Sequence, residues 1–170
     1  LSPLQMLHVG GNGLFDGKVE SLQTQSSDSD DTLVTKKYFE DNKSGATRVA
    51  EGETSAVLSI DSSENLTFND AGSAGIFRSV TTSVAALVTF YSSEAARTAD
   101  VASGRDPVDE APTPGDGVLL EVLTTGFETI NATPGVSYFL DSTTDPMYAR
   151  VTNKSNGAQE VTVTLAAIVL

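Results

Sequence analysis

Residues 118–170, VLLEVLTTGFETINATPGVSYFLDSTTDPMYARVTNKSNGAQEVTVTLAAIVL, decide the fold class. Val118 to Thr124 is an apolar run with one Glu, the pattern of a buried strand. Val136, Tyr138 and Leu140 alternate with polar or small residues and read as the next strand, after a turn at Thr133-Pro134-Gly135. Tyr148 to Thr152 and Val161 to Val169 read as two more. Asn156-Gly157 between them is a hairpin signal, because both residues tolerate positive φ.

Working toward the N-terminus, Val84, Ala86, Val88 and Phe90 fall on one face of a strand, and Leu87 and Tyr91 on the other. Residues 46–70 alternate too. Ala56, Leu58 and Ile60 precede the turn Asp61 to Asn65, and Leu66 and Phe68 follow it, the pattern of a hairpin. Residues 71–76 read as a flexible loop. Five or six strands over 80–170 predict an antiparallel sandwich or jelly roll. Between Ser92 and Gly117 runs a segment with three of the six prolines and no strong periodicity, apart from a helical turn or two over 94–102. A loop of that length inside a small domain is unusual and often functional.

The N-terminal part differs. Leu4 to Val9 and Leu14 to Val19 are short apolar stretches around the tight-turn sequence GGNG. Residues 32–42 suit a short amphipathic helix, with Asp31 or Thr32 as N-cap and Val34, Tyr38 and Phe39 on its apolar face. These pieces hold too few large apolar residues for a core of their own. The expected division is 1–45 as a stalk or docking region, 46–76 as a connecting hairpin region and 77–170 as a β-sandwich head. The chain as a whole is expected to be mainly β.

Composition excludes several chemistries. The 170 residues carry 10 Lys+Arg against 23 Asp+Glu, a net charge of −13. That opposes general nucleic-acid binding and basic membrane anchoring. There is no Cys and one histidine, His8, so thiolate catalysis, disulfides and Cys- or His-rich metal sites are excluded. No apolar run is long enough to cross a membrane as a helix. Val, Thr and Ser (17, 20 and 19 residues) dominate, a composition that favours strands. GGNG lacks the spacing of a phosphate loop.

Asp28, Asp30 and Asp31 are the one candidate cation cluster, but they lack the glycine and distal Glu of an EF-hand loop, and a solvated acidic loop is the simpler reading. Asp106, Asp109, Glu110 and Asp116 in the long loop have no aromatic near them in sequence to shape a sugar-cleaving cleft. Arg97 and Arg105 are expected to pair with Asp100, Asp106 or Asp109, as a clamp on the loop or a subunit contact. No catalytic residue and no cofactor are expected.

Residues 7–42 resemble a recurring module of tailed-bacteriophage fibre proteins. The resemblance is carried by Leu7-His8-Val9-Gly10-Gly11, Phe15-Asp16-Gly17-Lys18-Val19, the loop Ser27 to Asp31, and Leu33-Val34-Thr35-Lys36-Lys37-Tyr38-Phe39-Glu40-Asp41. Phe39-Glu40 stands where Val-Asp is more usual. A second likeness, to β-rich C-terminal domains of virion proteins from phages of marine and cyanobacterial hosts, rests on Tyr91 to Asp100, Arg105-Asp106-Pro107, Gly115 to Val122 and Thr133 to Val136.

The resemblance implies a homotrimeric fibre or spike on the virion, on tail or capsid, with other virion proteins and a host surface glycan or protein as partners. Leu7, Val9, Phe15, Val19, Val34, Tyr38 and Phe39 would then be buried between subunits. A capsid decoration protein and a carbohydrate-binding module are the alternatives. The implied setting is an extracellular particle assembled in the host cytoplasm.

Overall fold

A computed structural model of the chain describes residues 45–143 and 146–170. The chain divides at Ser44/Gly45 into two units, and the description that follows concerns the second. The seven expected subunit-contact residues and the acidic cluster Asp28, Asp30 and Asp31 lie outside the described residues.

Eight strands form two antiparallel four-stranded sheets. They are β1 (Thr47–Thr54), β2 (Ser63–Phe68), β3 (Ala74–Thr82), β4 (Ala86–Tyr91), β5 (Val118–Leu123), β6 (Glu128–Phe139), β7 (Met147–Asn153) and β8 (Thr162–Val169), with one helix, α1 (Glu94–Ser103), between β4 and β5. The first sheet has the order β1-β8-β3-β6 and the second β2-β7-β4-β5. Successive strands change sheet at every step except β4 to β5, which is the jelly-roll winding.

That winding corrects three sequence expectations. Residues 46–76 are not a connector, because they supply β1 and the start of β3 to the first sheet and β2 to the second. The hairpin expected over 56–68 does not form: β2 pairs with β7 and β1 with β8. Nor do β7 and β8 form a hairpin across Asn156-Gly157. They lie in different sheets, and the connection turns a corner between them. The buried Asn153 fixes that corner. Its Nδ2 donates to the carbonyls of Leu58 (2.8 Å) and Gly157 (2.9 Å), and its Oδ1 accepts from the Ser155 N–H (2.9 Å).

Thr133-Pro134-Gly135 is likewise no turn between strands. It interrupts β6, where Ala132 to Gly135 stand opposite the single residue Arg78 of β3. Pro134 lies in the interruption of an edge strand and has no register partner, so its missing N–H breaks no ladder.

The core fills the space between the sheets. Phe77 packs on Phe90 (ring centroids 5.4 Å apart) and on Tyr138 (4.7 Å), and Phe68 packs on Phe90 (5.7 Å). Such pairs contribute about 0.5–1.5 kcal/mol each beyond area burial. Val80, Val88, Val151, Val163 and Leu165 complete it. The Tyr138 hydroxyl donates to the Ala71 carbonyl, and burial raises its pKa. The abundant hydroxyls have a structural use, since Ser63–Thr152, Thr54–Thr162 and Thr81–Thr129 are bonded cross-strand pairs.

Candidate binding cleft on the second sheet

β4 is buried along its whole length. Ala86, Val88 and Phe90 enter the core. The alternate residues Leu87, Thr89 and Tyr91 face outward, yet they are buried or nearly so because the excursion 92–117 lies over this face. The excursion is held at its base by the Ser92 N–H on the Gly117 carbonyl (2.8 Å). Gly117 has φ of 78°, and a side chain there would strike Ala96 and Ser92, so glycine is required at the closure.

Within the excursion, Ser93 caps α1 by accepting from the Ala96 N–H (3.2 Å), and Gly104 ends it in the left-handed conformation. One helical turn or two becomes ten residues. The helix turns Arg97 and Asp100 onto the sheet. Arg97 stacks over the Tyr148 ring, 4.9 Å from its centroid, and donates to the Leu66 carbonyl (3.3 Å).

Asp100 and Arg105 form the centre of a buried network. The Tyr91 hydroxyl donates to Asp100 Oδ2 (2.7 Å). Arg105 grips the same carboxylate with two nitrogens, Nε to Oδ1 (2.7 Å) and Nη2 to Oδ2 (3.0 Å). Arg105 Nη2 also donates to Glu121 Oε1 on β5 (2.6 Å), which accepts from Thr89 Oγ1 (3.3 Å). Arg105 Nη1 holds the Glu110 carbonyl (2.9 Å).

Burial alone would raise the Asp100 carboxyl, but the hydrogen bonds from Arg105 and Tyr91 and the charges of Arg105 and Arg150 hold it below its ordinary value. Burial, and then the Asp100 carboxylate, push the Tyr91 hydroxyl up. Hydrogen bonds to Asp100 and Glu121 raise Arg105 further.

The expected pairing of Arg105 with Asp100 is present. Arg97 pairs instead with Glu94, three residues before it (3.1 Å). Glu121 was not expected as a partner, and Tyr148 brings a second aromatic ring, besides the adjacent Tyr91, to the base of the loop. Of the loop carboxylates, Asp106 accepts from the Val108 N–H (3.0 Å) and Asp116 from the Thr113 N–H (2.9 Å), so both serve the loop's own turns.

Past the helix C-terminus the cover stops short of the sheet edge. There it leaves a cleft of about 210 Å³ with Leu87, Thr89 and Tyr91 of β4, Ser63 of β2, and Arg150 and Thr152 of β7 along the sheet side. Gly104, Arg105, Asp106 and Pro107 form the opposite wall, and Lys154 stands at one end, paired with Asp61 (2.9 Å). A second concavity, about 350 Å³ and mainly apolar, opens between the edge strands β5 and β6 over Leu120, Leu123, Ile130, Ala132 and Val136.

β5 corrects the expectation of a buried strand. It is an edge strand, only Val122 is fully buried, and Leu123 is 50% exposed.

Among the described residues no group of three or more His, Cys, Asp or Glu could hold a metal ion, and no helix is long and apolar enough to cross a membrane. The fold and cleft define the described part as a jelly-roll domain with a covered outer sheet face. No protein-family model matches the chain, and no curated protein matches it in sequence.

Proposed function

We propose that the protein is a non-enzymatic structural component of a bacteriophage virion. In this reading it is a short homotrimeric fibre or spike on tail or capsid, with residues 45–170 as its exposed head and a part in host attachment. The observation that carries the reading is the open β5–β6 edge. Leu123 at the apolar groove, Phe127 in the turn from β5 to β6 and Phe139 at the far end of β6 are 50%, 81% and 67% exposed. Proteins normally protect such an edge with charge or cover it. A neighbouring copy would cover this one.

The fibre-like sequence of residues 7–42, with short apolar stretches and no core of its own, supports the same reading. A cyclic trimer would bury those stretches together around its axis. The negative charge keeps three copies soluble.

Light scattering on the full chain, with and without calcium, tests this. A mass of three chains is expected in both conditions. A folded monomer at micromolar concentration would overturn the trimer.

A further inference from the structure

The described part of the chain has six cationic side chains, Arg48, Arg78, Arg97, Arg105, Arg150 and Lys154. Three of them, Arg105, Arg150 and Lys154, line the one cleft beside the end of α1. The carboxylates of Asp100 and Asp106 line the same cleft.

The situations of the three cations differ. Arg105 is saturated by Asp100 and Glu121, and Lys154 is paired with Asp61. Arg150 makes no hydrogen bond or ion pair among the described residues, although it is half-buried and its charge is felt by Asp100 and Tyr91. Its guanidinium therefore offers a free planar fork of donors inside a walled cleft, the arrangement that matches a carboxylate. Thr152, next along the same face of β7, and its partner Ser63 add hydroxyls that both donate and accept. Pro107 supplies apolar surface over the nearly buried Leu87, and Asp106 a carboxylate whose Oδ1 already accepts from the Val108 N–H.

We propose that this cleft binds the carboxylate of an acidic saccharide, with Arg150 as the anchoring residue. The hydroxyl pair and the Asp106 carboxylate suit ring hydroxyls, and Pro107 suits the C–H face of a sugar. An acidic peptide side chain would use the arginine and leave the remainder of the cleft idle. The inference rests on the attachment part of the reading above and gives it a ligand class. A single weak site of this kind gains by repetition, since three linked copies multiply avidity without any new contact.

Saturation-transfer NMR on the full chain tests it, with methyl glucuronide and methyl glucoside as matched probes and acetate as competitor. Saturation of the glucuronide well above the glucoside is expected. Arg150→Met should weaken it about tenfold. Arg48→Met, on the other sheet, should leave it unchanged. Equal saturation of both sugars would overturn the carboxylate assignment, and unchanged binding in Arg150→Met, at an unchanged melting temperature, would overturn the site. Acetate competing as well as the glucuronide would overturn the saccharide in favour of a bare carboxylate site. None of these outcomes alters the mass in solution, so the trimer stands or falls separately.

Discussion

At the β1–β2 edge of the sandwich the two sheets are tied together by carboxylates; at the β5–β6 edge they part over an apolar groove. Glu51 of β1 reaches the turn after β2 and accepts from the N–H groups of Asn69 (2.6 Å) and Asp70 (2.9 Å). Glu64 of β2 accepts from Ala56 in the β1–β2 connection (2.9 Å). Arg48 and Glu53 add further charge along β1. An edge so charged resists pairing with another chain.

β5 and β6 carry only Glu121 and Glu128, and both are engaged. Glu121 is held by Arg105, and Glu128 caps the turn at Thr125 (3.1 Å). What remains outward on that edge is uncharged: Leu123 and Phe139, the polar side chains of Thr129, Asn131, Thr133 and Ser137, and backbone free of a strand partner among the described residues. Two copies at −13 repel each other, and a face without free charge is where they can meet most cheaply. The difference between the edges is therefore the physical content of the oligomer proposal.

The sharpest way to break the comparison is to charge each edge in turn. Leu123→Glu with Phe127→Glu should dissociate the full chain, cutting its light-scattering mass to one third. Glu53→Lys on the other edge should leave the mass unchanged. If both variants keep the wild-type mass, the β5–β6 edge is not the interface.

The second prediction concerns what holds β5 from outside. Arg105→Met leaves the buried Asp100 carboxylate and Glu121 facing each other without their shared cation. Removing one member of a buried ion network costs about 3–5 kcal/mol, and the loss should appear in urea denaturation of the full chain. A loss below about 1 kcal/mol would show the network to be solvated, as surface pairs are.

The strands themselves were legible where alternation was strong, as in Val161 to Val169 and Leu66 to Phe68, and so was the sandwich class. Their pairing was not. A turn signal such as Asn156-Gly157 reports that the chain bends. It does not report whether the bend joins neighbours in one sheet or crosses to the other, which Asn153 decides through contacts with Leu58, distant in sequence.

The cleft was half legible. Arg105 and Asp100 stand five residues apart across the end of a helix, so their pairing follows from local geometry. Glu121 and Arg150 come from β5 and β7, and only the winding of the sheets brings them to the same face. The doubly apolar pattern of β4, with Leu87 and Tyr91 opposite Val88 and Phe90, was the signal in the sequence that something covers the outer face.

Acid should expose the same network by a route that needs no mutation. The Asp100 carboxyl titrates below its ordinary value in the folded chain, so at pH just under that ordinary value the unfolded chain binds the proton first. Stability is then full above the ordinary carboxylate range and falls as the pH drops through it toward the native value. Asp100→Asn should flatten that part of the profile. Tyr91 gives the mirror image, because its native hydroxyl titrates above 10. The unfolded chain loses this proton first, so stability falls as the pH rises past about 10.

The smallest effect returns to the charged edge. Glu51 is only half-buried, and each of its two hydrogen bonds is open to water on one side. Glu51→Gln retains one acceptor oxygen, loses the charge and forfeits one of the two bonds. A hydrogen bond of this kind contributes about 1 kcal/mol net, so the expected loss is about that size and read from the urea midpoint. Its distribution is the informative part. The bonds tie β1 to the β2–β3 turn, so hydrogen exchange should quicken at Asn69 and Asp70 and stay unchanged in β5 and β6. Faster exchange along β6 would mean that the two edges respond as one unit, and the contrast drawn between them would fail at its cheapest test.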